Sequence, residues 1–201
     1  MKFVYHAVPS GMVGTVLVPL NALAAVSPSA FELQRSKYAQ REAVLDAQIT
    51  SSGLLFNDTV HCAPLHPHHL HRLRARLDLL PNPPADAATA PWTPGRFFEI
   101  PLDRIAAHPV YWYRWRTAWI NGYPGEDTLL APPINEFEPF DPARYRALTE
   151  IPSAHTAYLE QRKAEGKRAL MFVHIPHVLV AGPIDTRGLR EISWEDEPHA
   201  R

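Results

Sequence analysis

Proline constrains this chain more than any other residue. Twenty-one of the 201 residues are proline. Each fixes its φ near −65°, removes a backbone donor and interrupts helices and sheet ladders. A long helical bundle is therefore disfavoured, and no internal repeat occurs at the usual periods. Short elements joined by many fixed turns are predicted.

The chain is nevertheless 46% hydrophobic and 20% charged, enough apolar surface for a substantial core and far from a disordered composition. One globular domain over residues 1–201 is expected. The net charge of −1 gives no overall attraction to nucleic acid or to an anionic membrane, so any such attraction must come from a local patch. Cys62, the single cysteine, cannot form an internal disulfide or a cysteine-based zinc site and suits a reducing compartment. Residues 11–26 are largely apolar, but Pro19 and Asn21 interrupt them and they end at Ser27-Pro28. A spanning helix or signal peptide needs an unbroken apolar stretch. The expectation is a cytoplasmic protein with no membrane partner.

Local patterns place the elements. Residues 2–8 read as a strand. Ser27-Pro28-Ser29, with Glu32 following, is a helix start, and Phe31, Tyr38, Leu45 and Ile49 recur near helical spacing, predicting a helix over about 28–48. A short strand over 53–63 follows. Pro67 then opens a second helix with an apolar stripe of Leu70, Leu73, Leu77 and Leu80. Residues 81–95 and 122–142 read as loops. Strands are predicted over 97–105, 110–120, 170–175, 177–181 and 189–194, and short helices over 142–149 and 155–166. Two N-terminal helices with several short strands favour an α+β fold over a βαβ series.

The densest titratable cluster runs from His61 to His71. Neutral imidazole is the commonest protein metal ligand, but on one helix face only His68 and His71 have ligand spacing, and no helical zinc-hydrolase pattern is present. No metal is expected. His68, Arg72 and Arg76 fall at i, i+4 and i+8 opposite the leucine stripe, with Arg74 nearby, and form a cationic stripe that reads either as an ordinary charged helix face or as a contact for phosphate or nucleic acid. The run from Tyr111 to Trp119 interleaves aromatics with Arg114 and Arg116. It reads as a core strand, with base stacking as the alternative. His174 and His177 flank Pro176 near the C-terminus. There is no dinucleotide glycine loop, P-loop or Gly-x-Ser-x-Gly elbow.

The order of these features resembles the ADP-ribosyltransferase fold, in its DarT-like, DNA-modifying toxin branch. Tyr5-His6 on the first strand is similar to the Tyr-His that opens that family. Arg41 in Tyr38-Ala39-Gln40-Arg41 stands where the family has an arginine after its first helix. Thr59-Val60-His61-Cys62-Ala63-Pro64-Leu65-His66-Pro67 resembles its apolar-x-Pro-x-x-Pro run, and Phe97-Phe98-Glu99-Ile100 its next strand. Pro176-His177-Val178-Leu179-Val180 stands where the family has Ala-Glu-apolar-Leu-Val. The chain is also similar to bacterial sequences that carry Asn57-Asp58 ahead of such a His-Pro region.

The resemblance implies helices packed on a short-stranded, mostly antiparallel split sheet. It implies NAD as the nucleotide, nucleic acid as an acceptor, and ADP-ribosyl transfer as the reaction. His6, Arg41 and His61 would contact the nucleotide. Arg41 and His177 would take the catalytic positions, and His68, Arg72 and Arg76 would meet phosphate. Two departures stand out. His177 replaces the late glutamate, and imidazole offers a base but no fixed negative charge. Val8 occupies a position that is polar in the family. RNA 2′-phosphotransferases, a related branch without that glutamate, suit His6, Arg41, His61, Arg72 and His177 by residue type. A non-enzymatic nucleic-acid-binding module and a His-site metalloenzyme complete the alternatives.

Overall fold

The computed structural model describes residues 2–10, 12, 14–38, 44–51, 53–80, 92–115, 134–167 and 169–198. Its elements run β1 (Phe3–Pro9), β2 (Val16–Leu17), α1 (Leu20–Val26), α2 (Pro28–Arg35), β3 (Val60–Cys62), α3 (Pro67–Arg76), β4 (Trp92–Pro101), β5 (Val110–Tyr113), β6 (Phe137–Pro139), α4 (Ser153–Ala164), β7 (His177–Val180), β8 (Ile184–Asp185) and β9 (Arg190–Ser193). The class is α+β, as the element order predicts.

Among the described residues, every strand pairing is antiparallel. One sheet has the order β1-β4-β9, a second has β3-β7-β5-β6, and β2 pairs with β8. The two larger sheets meet where Tyr5 and Ala63 exchange backbone hydrogen bonds of 2.9 and 2.7 Å. That bridge lays β3 beside β1 and determines where the site forms.

Alternation on the strands builds the core from both faces. On β1, Val4 packs with Val60, Cys62, Phe98, Ile100, Val178 and Val180, while Tyr5 packs with Leu65, Leu70, Phe97, Ile175 and Trp194. Tyr113, Trp115, Phe56 and Leu179 fill a third cluster on the other side of β3-β7-β5. The aromatic run is thus core as far as Trp115, and its remainder, 116–120, lies outside the described residues.

Three expectations are corrected. The helix opening at Ser27-Pro28 stops at Arg35 instead of reaching 48. Ser36 Oγ donates to Leu33 O at 2.6 Å and the chain tightens into a 3₁₀ turn. Ile49, which continued the helical spacing, instead pairs with Leu54 across a turn at Gly53, where φ is 87°. Residues 142–149 form turns, because the Asp141 carboxylate accepts from Ala143 N at 2.9 Å and holds the chain in a local loop. Residues 170–175 alternate in burial but make no ladder. His174 takes φ 60°, Ile175 N closes a turn onto Phe172 O, and Pro176 has no N–H to offer a partner strand. Among the described residues, no helix is long and apolar enough to cross a membrane.

Candidate functional site

The site begins with the bridge between β1 and β3. His6 lies on the Val4 side of β1, opposite Phe98 of β4. β1 loses its regular register between Ala7 and Pro9, and Ser10 and Met12 beyond it line a pocket. This pocket is a cavity of about 130 Å³, walled also by His6 and Pro9 from β1, Val60 and His61 from β3, β2 with Leu20, Leu23 and Val26 of α1, and Ser27, Ala30, Gln34 and Tyr38 from α2 and the turn after it. Asn57 and Thr59 close its floor.

Local bonding fixes these groups. Ser27 caps α2 by accepting from Ala30 N at 3.4 Å, with Pro28 in the first helical turn. Asn57 Nδ2 donates to Val44 O at 3.3 Å, and Thr59 Oγ1 donates to Phe56 O at 2.7 Å. Asp58 accepts from Leu55 N at 2.9 Å with one oxygen and from Asn21 Nδ2 at 2.7 Å with the other. The Asn-Asp pair therefore ties α1 to the floor.

His61 is half-buried on the face of β3 opposite Val60 and Cys62. Its ring lies 4.1 Å from that of Phe56, and Nε2 donates to Phe56 O at 2.8 Å. His177 sits behind it, on the same face of β7 and opposite Tyr113 in β5. It is 6% exposed, and the rings of Trp115, Phe172 and Tyr113 surround it at 5.1, 5.8 and 6.3 Å. Its Nδ1 donates to Ile175 O at 2.7 Å. Burial pushes its pKa down to about 4, against the smaller upward pull of that hydrogen bond. At neutral pH it is an uncharged imidazole backing the pocket rather than a group on its wall.

Of the predicted site residues, the structure brings His6 and His61 into one pocket and sets His177 against His61. Arg41 lies outside the described residues. His68, Arg72 and Arg76 are on α3, which contributes nothing to the pocket wall. Arg72 and Arg76 are exposed. His68 is not on the outward face its spacing suggested. It is buried, and Nδ1 donates to Glu195 O at 3.1 Å. Arg74 is likewise turned inward, 2% exposed, with Nη2 donating to Leu79 O at 3.3 Å. The continuous cationic stripe is therefore reduced to Arg72 and Arg76, because the C-terminal segment packs over the start of the helix.

The other histidines of this region have structural contacts. His66 caps α3 by accepting from His68 N at 3.2 Å, and the ring of His71 lies 5.4 Å from Trp194. Among the described residues, no group of three or more His, Cys, Asp or Glu side chains is placed to hold a metal ion. Cys62 is fully buried, and desolvation pushes its thiol up to about 12.

A second polar group escapes sequence reading. Trp115 and His174 both occupy the left-handed region, at φ 48° and 60°, and a backbone hydrogen bond joins Trp115 to the His174 ring. Glu136, a buried carboxylate at 6% exposure, pulls the His174 pKa upward, against the larger downward effect of desolvation. Left-handed backbone at non-glycine residues stores strain and is concentrated at functional sites. No local motif announces it, since Glu136 and His174 are brought together only by the pairing of β6, β5 and β7.

NAD can be tested against this pocket. A cavity of about 130 Å³ approaches the roughly 150 Å³ of an engineered cavity that holds benzene, so it fits one ring, such as the nicotinamide end, and not a whole dinucleotide. The amides of Gln34 and Asn57 and the imidazoles of His6 and His61 match such a polar heteroaromatic ring. No arginine or lysine lies on the wall among the described residues, so the described wall offers no cation to a pyrophosphate.

No family model matches the chain, and neither a curated protein nor a solved structure matches it.

Proposed function

We propose that this protein is an ADP-ribosyltransferase-like domain that binds NAD, or another nucleotide, with its nicotinamide-nucleoside end in the pocket between β1, β3, α1 and α2. The observation that carries the reading is the convergence of His6 and His61 on one ring-sized cavity. A small concave site with a few converging polar groups is the usual form of a ligand pocket.

In this reading His6, Gln34 and Asn57 recognise the polar edge of the ring. Tyr38 and the aliphatic walls exclude water from it. His61 is the imidazole nearest the bound group, held in one orientation by Phe56 O. When bound, NAD supplies a glycosidic bond to an activated leaving group. His177, neutral and buried, keeps the His61 ring in place and supplies no negative charge. Transfer is accordingly slow beside that of a carboxylate-bearing enzyme, and proton movement falls to His61. Arg41 is the proposed phosphate contact.

Isothermal titration with NAD and an assay for nicotinamide release test the proposal. Binding that is lost in His6→Ala and weakened in Arg41→Ala supports it, whereas absence of both binding and release by the unaltered protein overturns it.

A further inference from the structure

The mouth of the pocket differs in character from its floor. α1 is apolar at every position except Asn21, yet none of its residues is buried. A surface helix ordinarily turns its apolar stripe inward. Among the described residues, two large hydrophobics are left exposed, Val16 at 42% and Val26 at 60%. They come from different elements, β2 and α1, and both line this pocket, with Leu20 and Leu23 also on its wall. The floor beneath is polar and deeply buried, with Asn57 1% and Thr59 4% exposed.

Aliphatic surface held at a cavity mouth favours aliphatic surface in whatever enters. A nucleic-acid strand needs cations for its phosphates and aromatic faces for its bases, and Val16, Leu20, Leu23 and Val26 offer neither. A cavity of about 130 Å³ also limits the entering group to a short chain or a single ring. We infer that this pocket also takes, in place of the nicotinamide ring and in competition with it, a small, uncharged amphiphile, with a short aliphatic body against Val16, Leu20, Leu23 and Val26 and a hydroxyl or amide head toward the polar floor. This goes beyond the function proposed above by naming a second ligand class for the same pocket, and rests on that reading only for the role of the pocket.

The test is a titration of the full chain with n-alkanols from propanol to heptanol, followed in ¹H–¹³C spectra of the valine and leucine methyls. The inference predicts shifts at Val16, Leu23 and Val26. Affinity should rise about threefold to fourfold per added methylene, the gain expected for moving one methylene out of water. Val16→Thr and Val26→Asn alter exposed positions without setting a carboxylate opposite Asp185, so they should leave the melting temperature nearly unchanged and flatten the dependence on chain length. Affinity independent of chain length overturns the inference, as does a single-stranded oligonucleotide that shifts the same methyls. An NAD titration on the same sample separates the two claims. Chain-length dependence without NAD binding sinks the nucleotide reading alone, whereas NAD binding without chain-length dependence sinks this inference alone.

Discussion

His61 and His177 meet edge to face, with ring centroids 6.3 Å apart and planes at 90°. Each ring is anchored by a backbone carbonyl, His61 through Nε2 to Phe56 O and His177 through Nδ1 to Ile175 O. Since a carbonyl only accepts, His61 carries a proton on Nε2 and His177 one on Nδ1. One imidazole forms part of the pocket wall, and the other forms the wall's backing.

Burial of His177 makes stability depend on pH. Its pKa is held near 4, and so is that of His155, which donates from Nδ1 to Val173 O at 2.6 Å. Desolvation is the main cause for both. An unfolded histidine titrates near 6.5, so between pH 6.5 and 4 the unfolded chain takes up protons that the folded chain refuses. Stability is therefore full above pH 6.5 and falls as the pH drops toward 4, by on the order of 3 kcal/mol for each ring. Urea denaturation at pH 7.5, 6, 5 and 4.5 should show a falling midpoint, and His155→Gln should flatten the curve. A midpoint constant across that range would contradict the burial argument.

Gly95 is needed for its missing side chain. Its φ is 68°, and a Cβ there would lie 2.8 Å from Trp194 Nε1. Trp194 is itself buried and bonded by its backbone N to Gly95 O at 2.8 Å. Gly95→Ala should cost about 2–4 kcal/mol, combining left-handed strain with overpacking. A thermal melt displaced by less than the scatter between replicates would contradict the close approach.

His66 supplies the cap of α3. His66→Ala removes the acceptor for His68 N and should lower stability by about 1 kcal/mol. His66→Asp restores an acceptor and adds a negative charge at the positive end of the helix, so it should recover most of the loss. Equal destabilisation by the two variants would show that ring packing against Tyr5, at 5.0 Å, matters more than the cap.

None of the residues of α1 is buried, so it should be the part of the pocket that opens first. Asp58→Ala removes the acceptor of both Asn21 Nδ2 and Leu55 N, while Asn21→Ala removes only the former. Hydrogen exchange of α1 amides should quicken in both variants, and exchange around Leu55 only in Asp58→Ala. Unchanged α1 exchange in Asn21→Ala would place its anchor elsewhere.

Elements governed by local rules were legible in the sequence. Ser27-Pro28 and Pro67 mark helix starts because capping and fixed φ act within one turn. The alternation of residues 2–8 marks β1 because one face meets Phe98 and Ile100 and the other Phe97 and Ile192. Apolar spacing misleads where it has two structural solutions. Ile49 fits a helix as well as the turn onto Leu54, and Met171, Val173 and Ile175 alternate without a partner strand. The pocket was half legible. His6 and His61 stand out by residue type, but Asn57, Gln34 and Tyr38 join them only through the Tyr5–Ala63 bridge and the fold of α2 against the Asn57 turn. Helical spacing does not reveal the burial of His68 and Arg74, because the C-terminal segment at Glu195 and the loop at Leu79 that cover them come from outside the helix.

The central claim is that His6 and His61 form one ligand site. Its most direct test is a titration of NAD into protein carrying ¹³C-labelled histidine, with each ring signal assigned by single substitution. The account predicts concerted shifts of His6 and His61 at a common midpoint, a smaller shift of His177, and none at His155, His68 or His71. Shifts confined to the histidines of α3, or no shift at any ring, would contradict it.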